Sequence, residues 1–105
     1  MLELPFQAKM TDRLAAMLRG ITAREQREDP DVLPGIVWER FETGPRTGTS
    51  NWMLQSFSRK FMRPEDIVTV GDISFHLPAA ERHRLTGRVL DWSESEGLVA
   101  HEKAA

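Results

Sequence analysis

Alternation of apolar and polar residues is the clearest pattern in the second half of the chain. Runs of this kind are typical of half-buried strands, and glycine or proline residues separate them. Four such runs predict strands: Ile67 to Val70, Ile73 to Leu77, Val89 to Trp92 and Leu98 to His101. The region from Asp66 to Glu102 is therefore expected to pack as compact β structure.

The first part of the chain predicts a short strand and an amphipathic helix. Leu2 to Phe6 alternates as an edge strand does. Apolar residues then recur from about Lys9 at spacings of three and four, which places them on one helical stripe: Met10, Leu14, Met17, Leu18 and Ile21. Thr11 is a suitable N-cap. Gly20 leaves two ends open, because the helix either stops there or continues to about Arg27.

The middle of the chain predicts a hairpin with a long tip. Ile36 to Phe41 is rich in β-branched and aromatic residues and is partly apolar on both faces, which is typical of a central strand. A second strand, Trp52 to Phe61, follows the turn-forming segment Thr43 to Asn51. The prolines in Asp29 to Asp31 and in Leu33 to Gly35 predict a loop before this hairpin.

The remaining segments connect the strands of the second half. Pro78 to Leu85 predicts one or two helical turns with Leu85 buried, and Ser93 to Gly97 predicts a hairpin loop. Lys103 to Ala105 is expected to form a frayed tail. Together the elements predict one α+β domain, 1–105, in which a small curved mixed or antiparallel sheet of about five to seven strands packs against the N-terminal helix.

The amino-acid composition excludes several classes of binding partner and functional site. The 14 basic and 16 acidic side chains give a net charge of -2, without the positive excess that binding to a phosphate backbone normally requires. The sequence has no cysteine, so disulfides, thiolate nucleophiles and cysteine-ligated zinc or iron–sulfur centres are excluded from this chain. No apolar run approaches the ~18 residues of a membrane span, and a cytoplasmic location is expected.

The hairpin tip, Gly44 to Asn51, is a candidate binding site. Its glycines, arginine and small polar side chains are a composition with which backbone amides cradle an anion. The ligand-binding candidates are Arg46, Thr47, Gly48, Thr49 and Ser50. The tip lacks the lysine and the following helix of a P-loop, and a mobile hairpin tip has the same composition, so both interpretations stay open.

The other polar residues form no recognisable catalytic or metal constellation. No pair among His76, His83 and His101 has the i, i+4 spacing of a helical metal site, which favours surface histidines on a half-exposed sheet. Asp91 and Glu39 each adjoin a tryptophan, as a general base with a raised pKa would. Isolated carboxylates in strands more often pair with a cross-strand arginine, so no catalytic residue and no metal ligand is assigned.

Aromatic residues supply one hint of an interface. The chain has three tryptophans and five phenylalanines, most of them in the β region. A sheet covered by one helix buries a single face, so one or two tryptophans are expected on the other face, where a peptide or protein partner would contact them.

The segment Leu85 to Trp92, followed by Gly97 to Val99, has a glycine-led strand, a tryptophan and a second glycine-led strand. Locally it looks like the first hairpin of a cold-shock domain. The chain has no room for the remaining strands and lacks the stacking aromatics, so this likeness is attributed to hairpin composition. Nucleic-acid binding is ranked last because of the net charge of -2.

A longer series of short motifs runs over most of the chain. It begins with the Leu-x-Leu strand and the helix, and it continues through Ile36 to Phe41, the Gly48-Thr49-Ser50 turn, Glu65 to Val68 and Asp72 to Leu77. It ends in Leu85 to Trp92, which is similar to a Leu-x-Gly-x-x-(Ile/Leu)-Asp-(aromatic) signature. In this order the motifs resemble the HesB/IscA-like family, the A-type iron–sulfur cluster carriers.

The resemblance implies the family's scaffold without its chemistry. Its carriers hold iron or a cluster through one cysteine near the central turn and a Cys-Gly-Cys near the C-terminus. This chain has Thr47 to Ser50 and His101 to Ala105 at those places. Hydroxyls are too weakly acidic to replace thiolates as iron ligands at neutral pH. The resemblance therefore implies a cysteine-free branch that keeps the fold and has lost cluster binding, or that binds something else; no cofactor is assigned.

The leading hypothesis is a non-enzymatic HesB-like protein with a structural or protein-interaction role accessory to iron–sulfur metabolism. Its expected partner is an unidentified protein, with neither nucleic acid nor a membrane, and the chain is a monomer or a homodimer. The alternative is a small-molecule or anion-binding protein, with or without hydrolytic activity, that uses Gly44 to Asn51.

Overall fold

Two four-stranded mixed sheets and one α-helix make up residues 1–102, the part of the chain that the computed structural model describes. The elements in chain order are β1 (Leu2–Leu4), β2 (Ala8–Met10), α1 (Asp12–Glu25), β3 (Val32–Arg40), β4 (Ser50–Ser58), β5 (Ile67–Val70), β6 (Ile73–His76), β7 (Arg88–Ser93) and β8 (Gly97–Glu102). The predicted α+β class and the helix packed on the strands are confirmed. The prediction for Lys103 to Ala105 lies outside the described residues.

Each sheet contains one parallel pairing between strands that are distant in sequence. The first sheet has the order β1-β2-β7-β8, in which β2 and β7 run parallel with Met10 opposite Leu90. The second has the order β4-β3-β6-β5, in which β3 and β6 run parallel and meet at Gly35 and His76. All other neighbouring strands in these two sheets are antiparallel.

The helix joins the two sheets through a single core. Thr11 is its N-cap, and the Thr11 side chain accepts a hydrogen bond from the Leu14 N–H at 3.4 Å. The helix continues past Gly20 and ends at Glu25, close to the longer of the two predicted ends. The fully buried side chains of this core come from the helix, from both sheets and from the segment between β6 and β7: Met10, Leu14, Leu18, Ile36, Phe75, Leu77, Leu85 and Leu90.

Strand β3 is longer than the sequence predicts. Leu33 to Gly35, predicted as a loop, lies inside it and is buried. A proline is tolerated in a strand where its nitrogen has no hydrogen bond to donate. The pairing of β3 with β6 is confined to Gly35 and His76, so the neighbouring Pro34 is not part of a continuous ladder on that edge.

Two other predicted strands are shorter than expected. The N-terminal one ends at Leu4, and Gln7, whose φ of 60° turns the chain back on itself, leads into β2. Lys9 and Met10, predicted as the first residues of the helix, instead lie in β2 because they pair with β7, and the helix begins at Asp12. The strand predicted to reach Phe61 ends at Ser58, and a 3₁₀ turn, Arg59–Phe61, follows it. The hairpin of β5 and β6, the helical turns before β7 and the hairpin of β7 and β8 match the prediction. No helix within residues 1–102 has the length and apolar character needed to cross a bilayer.

Candidate functional site

The hairpin tip between β3 and β4 uses its own polar groups to hold its shape. The N–H groups of Thr47, Gly48 and Thr49 all donate to carbonyl oxygens of the tip or its base, at 2.8–3.2 Å. The hydroxyls of both threonines donate to tip carbonyls at 2.6 Å. These amides are therefore occupied in this arrangement and do not form a free cradle for an anion.

Two residues of the predicted ligand set have side chains outside this network. Ser50 is exposed at the start of β4. The Arg46 guanidinium lies 5.9 Å from the centre of the Phe41 ring, and Arg46 lines a pocket of about 260 Å³ together with Trp92. Arg46 is thus the member of the set that combines a charge with a pocket.

Asp91 lies where β7 meets the start of the helix, and it is 6% exposed. Nε and Nη2 of Arg13 donate to its two oxygens at 2.7 and 2.6 Å. The Thr11 hydroxyl and the Trp92 N–H donate to Oδ1 at 2.7 and 2.8 Å, and His101 Nε2 lies 3.3 Å from Oδ2. Since both oxygens are engaged, this carboxylate fastens the helix to the sheet.

The electrostatics of Asp91 agree with a structural role. The hydrogen bond from Arg13 is the main reason why the pKa of Asp91 lies far below its ordinary value, and it outweighs burial, which acts in the opposite direction. A general base needs a pKa near the working pH, so this carboxylate is poorly suited to accept a proton. Its partner is a helical arginine, whereas the sequence suggested a cross-strand one. Glu39 is exposed and accepts from cross-strand Gln55 at 2.6 Å.

The three histidines lie in different surroundings. His101 is beside Asp91, and His83 precedes β7 in the 3₁₀ segment Ala79–Leu85. The His76 ring lies 5.1 Å from the Phe57 ring, and its buried Nδ1 has no hydrogen-bond partner in the described chain. Burial lowers the pKa of His76, Asp66 opposes that shift, and Arg82 adds to it. Within residues 1–102, no three His, Cys, Asp or Glu side chains are grouped as metal ligands.

An open groove between the two sheets brings together residues that the sequence did not connect. We call it the inter-sheet groove, and it has a volume of about 480 Å³. The sheet of β3 and β4, the sheet of β7 and β8, and the 3₁₀ segment before β7 all contribute to its lining: Trp38, Asn51, Trp52, His83, Arg84, Arg88 and Ala100.

The lining of this groove combines a pair of tryptophans with two arginines. The rings of Trp38 and Trp52, which face each other across β3 and β4, are 5.2 Å apart and meet edge to face. The Arg84 guanidinium carbon lies 4.8 Å from the centre of the Trp38 ring, within the range of a cation–π interaction. Arg88 approaches Glu102 only to 3.9 Å.

A second surface feature is the 3₁₀ turn that follows β4. Phe61, at its end, is 91% exposed, the highest exposure of any large apolar side chain in the described chain. The tryptophans expected on an open face are instead buried or half-buried, and Trp52 is 4% exposed. The exposed aromatic is therefore Phe61.

Comparisons of the chain with models of protein families, with curated proteins and with solved structures gave no match. The candidate surfaces are accordingly defined by their geometry. Phe61 was missed in the sequence because the run before it resembles a strand; its flanking cations, Arg59, Lys60 and Arg63, are the signal that could have marked it. No local signal connects Trp38 with Arg84, because their contact depends on how the sheets pack.

Proposed function

We propose that the protein is a non-enzymatic, HesB-like scaffold without cluster ligands, and that it acts as a protein-interaction module through Phe61. The observation that carries this proposal is the 91% exposure of Phe61. Burying a phenylalanine side chain is worth about 1.5–3 kcal/mol, and Phe61 contributes almost none of this to the fold. A partner that covers the ring would gain that free energy.

The backbone around Phe61 is held in place before any partner binds. The Arg59 N–H donates to the Asp31 carbonyl at 2.7 Å, and the Met62 N–H donates to the Arg59 carbonyl at 3.1 Å. The Ser58 hydroxyl accepts from the Lys60 N–H at 3.3 Å. Because a fixed turn loses less conformational entropy on binding than a flexible one, this arrangement favours recognition.

The charges around Phe61 indicate the character of the partner. Arg59, Lys60 and Arg63 are exposed beside it. One of these cations has an acidic neighbour, since Asp31 lies 3.6 Å from Lys60 Nζ. An aromatic anchor inside a cationic rim is complementary to an apolar pocket with an acidic border, so we propose an acidic protein surface as the partner.

The HesB-like part of the proposal rests on element order and on Asp91. A short strand, a helix, a central strand, a turn and two later strands follow one another as the resemblance implies. Asp91, the aspartate of the signature-like segment, joins β7 to the helix through Thr11 and Arg13. Such a role preserves the scaffold and needs no bound cluster. The accessory role in iron–sulfur metabolism follows from the resemblance.

Binding by purified partners tests the role of Phe61. Proteins retained from a host extract by the immobilised protein are purified singly and titrated against wild type, Phe61→Ser and Phe61→Leu. We expect Phe61→Ser to weaken a genuine partner about tenfold or more, which corresponds to about 1.4 kcal/mol. Phe61→Leu should retain part of the affinity, and the melting temperature should not change. Equal binding by all three proteins would contradict the proposal.

The absence of cluster binding has a separate test. Anaerobic incubation with ferrous iron and sulfide, followed by desalting, should leave no stoichiometric, visibly absorbing species on the protein, because thiolates are missing. A stable cluster at one or two irons per chain would disprove the non-carrier role. That outcome would leave the result for Phe61 unaffected.

A further inference from the structure

The inter-sheet groove has hydrogen-bond donors that the described part of the chain does not use. Arg88 lies 3.9 Å from Glu102, which is beyond hydrogen-bonding distance, and Glu102 is exposed. The imidazole of His83 lines the groove without a hydrogen bond to residues 1–102. Asn51 accepts the Trp52 N–H through Oδ1 at 2.8 Å, which leaves its amide N–H₂ group as a donor. Convergent unused donors suit a ligand that brings acceptor oxygens.

Two arginines, Arg84 and Arg88, line the groove, and within residues 1–102 no carboxylate side chain belongs to the lining. Each arginine has a carboxylate beside it, since Glu81 binds Arg84 and Glu102 lies 3.9 Å from Arg88. Arg84 is held by Glu81 and by the Trp38 ring, so its guanidinium is fixed in position. Arg88 is the arginine whose donors remain available. A guanidinium presents its donors as a planar fork that matches carboxylate and phosphate oxygens.

The aromatic part of the groove lining can receive an apolar group. Trp38 and Trp52 form the edge-to-face pair there, and Ala100 leaves space because its side chain is small. The volume of about 480 Å³ lies inside the range of small-molecule sites, which is roughly 300–1,000 Å³. Such a volume accommodates a ring together with one charged group.

We propose that the inter-sheet groove binds a small organic anion. Its carboxylate or phosphate group is held by Arg88 and His83, and its flat apolar body lies against the pair formed by Trp38 and Trp52. The groove shares no residue with the turn that carries Phe61, so this site is independent of the protein-interaction surface. Of the hairpin tip, it includes Asn51 alone, and the amides of Thr47, Gly48 and Thr49 are already bonded to carbonyls of the tip or its base.

Calorimetric titration with four probes tests the ligand class. Phenyl phosphate and benzoate carry both features, inorganic phosphate lacks the ring, and phenol lacks the charge. We expect saturable 1:1 binding of phenyl phosphate, of benzoate or of both, at least tenfold tighter than that of phosphate or phenol; the tighter of the two identifies the anionic group. Equal affinity for phenyl phosphate and phosphate, together with equal affinity for benzoate and phenol, overturns the proposal. So does the lack of saturation by any probe at about 10 mM, because affinity that weak is not specific recognition.

Matched arginine variants test the location. Arg88→Gln should weaken binding about tenfold, whereas Arg88→Lys should keep part of the affinity because the charge remains and the fork is lost. Arg46→Gln removes the same charge at the hairpin tip and should change the affinity less than twofold. Equal losses in Arg46→Gln and Arg88→Gln would indicate general charge attraction, and a loss in Arg46→Gln alone would place the site at the tip; either result overturns the proposal.

A variant outside the strands separates binding from folding. His83→Gln changes an exposed residue of the 3₁₀ segment, so its melting temperature should equal that of the wild type. We expect it to weaken binding severalfold. If Arg88→Gln lowers the melting temperature as well as the affinity, the result for His83→Gln decides: unchanged affinity in that variant overturns the assignment of the groove.

Discussion

Convergent donors make Asp91 the most heavily bonded side chain of the described structure. Both of its oxygens accept from groups at the start of the helix, and Arg13 contributes two of these hydrogen bonds. A buried carboxylate is stable only when such partners compensate for lost hydration. Asp91 therefore sets the position of the helix relative to β7.

Replacing Asp91 by asparagine should be strongly destabilising for a single-atom change. Asp91→Asn removes the charge and converts an acceptor into a donor that faces Arg13, so we expect the free energy of unfolding to fall by about 1–3 kcal/mol. Urea denaturation followed by circular dichroism measures this. The matched control is Asp72→Asn, which breaks the exposed pair with Arg19 on the same helix and should cost less than about 1 kcal/mol. Equal losses would contradict a special role for Asp91.

The same carboxylate should affect stability in acid. The pKa of Asp91 is lower in the folded protein than in the unfolded chain, so its stabilising contribution is complete above the unfolded pKa of about 3.9 and is lost as the pH falls toward the folded pKa. The difference in unfolding free energy between wild type and Asp91→Asn should therefore shrink below about pH 4. A difference that stays constant in acid would exclude this linkage.

His76 should affect stability at a higher pH than Asp91 does. Burial lowers its pKa, so protonation favours the unfolded chain, and stability should decrease as the pH falls below the unfolded pKa of about 6.5. His76→Phe keeps a ring beside Phe57 and removes the unpartnered Nδ1. We expect a smaller loss of stability between about pH 7.5 and pH 5.5 in this variant than in the wild type. Identical losses, measured by urea denaturation at both pH values, would refute the role of His76.

At the scale of single elements, β3 depends on a close approach between Gly35 and Phe57. Its register pairs Gly35 with Gln55 of β4 and with His76 of β6. A Cβ atom on Gly35 would lie 2.5 Å from the Phe57 ring, which is closer than carbon atoms approach without displacement. The glycine lets this ring cover the strand, beside the ring of His76.

Two glycine-to-alanine changes should have opposite signs. Gly35→Ala forces the Phe57 ring to move and should lower stability by about 1–3 kcal/mol. Gly20→Ala lies inside the helix with no atom within 4 Å of the added Cβ, so it should raise stability by about 0.5–1 kcal/mol. Denaturant titration of both variants measures this. In a Phe57→Ala background, Gly35→Ala should lower the stability by less than it does in the wild type. An undiminished loss would mean that the Phe57 ring is not the cause.

The elements that the sequence predicted best are those with local signals. The helix has its apolar stripe and Thr11 as a cap, and β5 and β6 are joined by a turn at Gly71, where φ is 60°. In contrast, β2 has three residues and pairs with β7 from the far end of the chain. A run this short carries too little periodicity to be separated from a loop. The inclusion of Pro34 in β3 was missed because its tolerance depends on the neighbouring strand.

At the scale of the whole molecule, one core connects the two sheets. Leu90 from β7 and Ile36 from β3 belong to the same buried cluster as Leu18 of the helix. None of these side chains has any exposed surface. A shared core means that neither sheet can lose its packing without exposing the other.

Unfolding should therefore be a single transition. Leu90→Ala and Ile36→Ala alter different sheets, yet each should lower stability by about 2–5 kcal/mol and shift both far-ultraviolet circular dichroism and tryptophan fluorescence to the same midpoint. Trp38 and Trp52 report on the second sheet and Trp92 on the first. A variant that separates the two signals would show that the sheets unfold independently.

The sequence by itself determined the α+β class, the helix and its cap, most strands, and the exclusion of thiolate chemistry from this chain. These properties depend on residue type and on spacings of two to four positions, which the chain displays locally. Only the tertiary structure decided the division into two sheets, the bonding of Asp91 to the helix, the exposure of Phe61 and the contact of Trp38 with Arg84. Each of these is a relation between distant segments, and it is fixed by parallel pairing and shared burial, which no local pattern records.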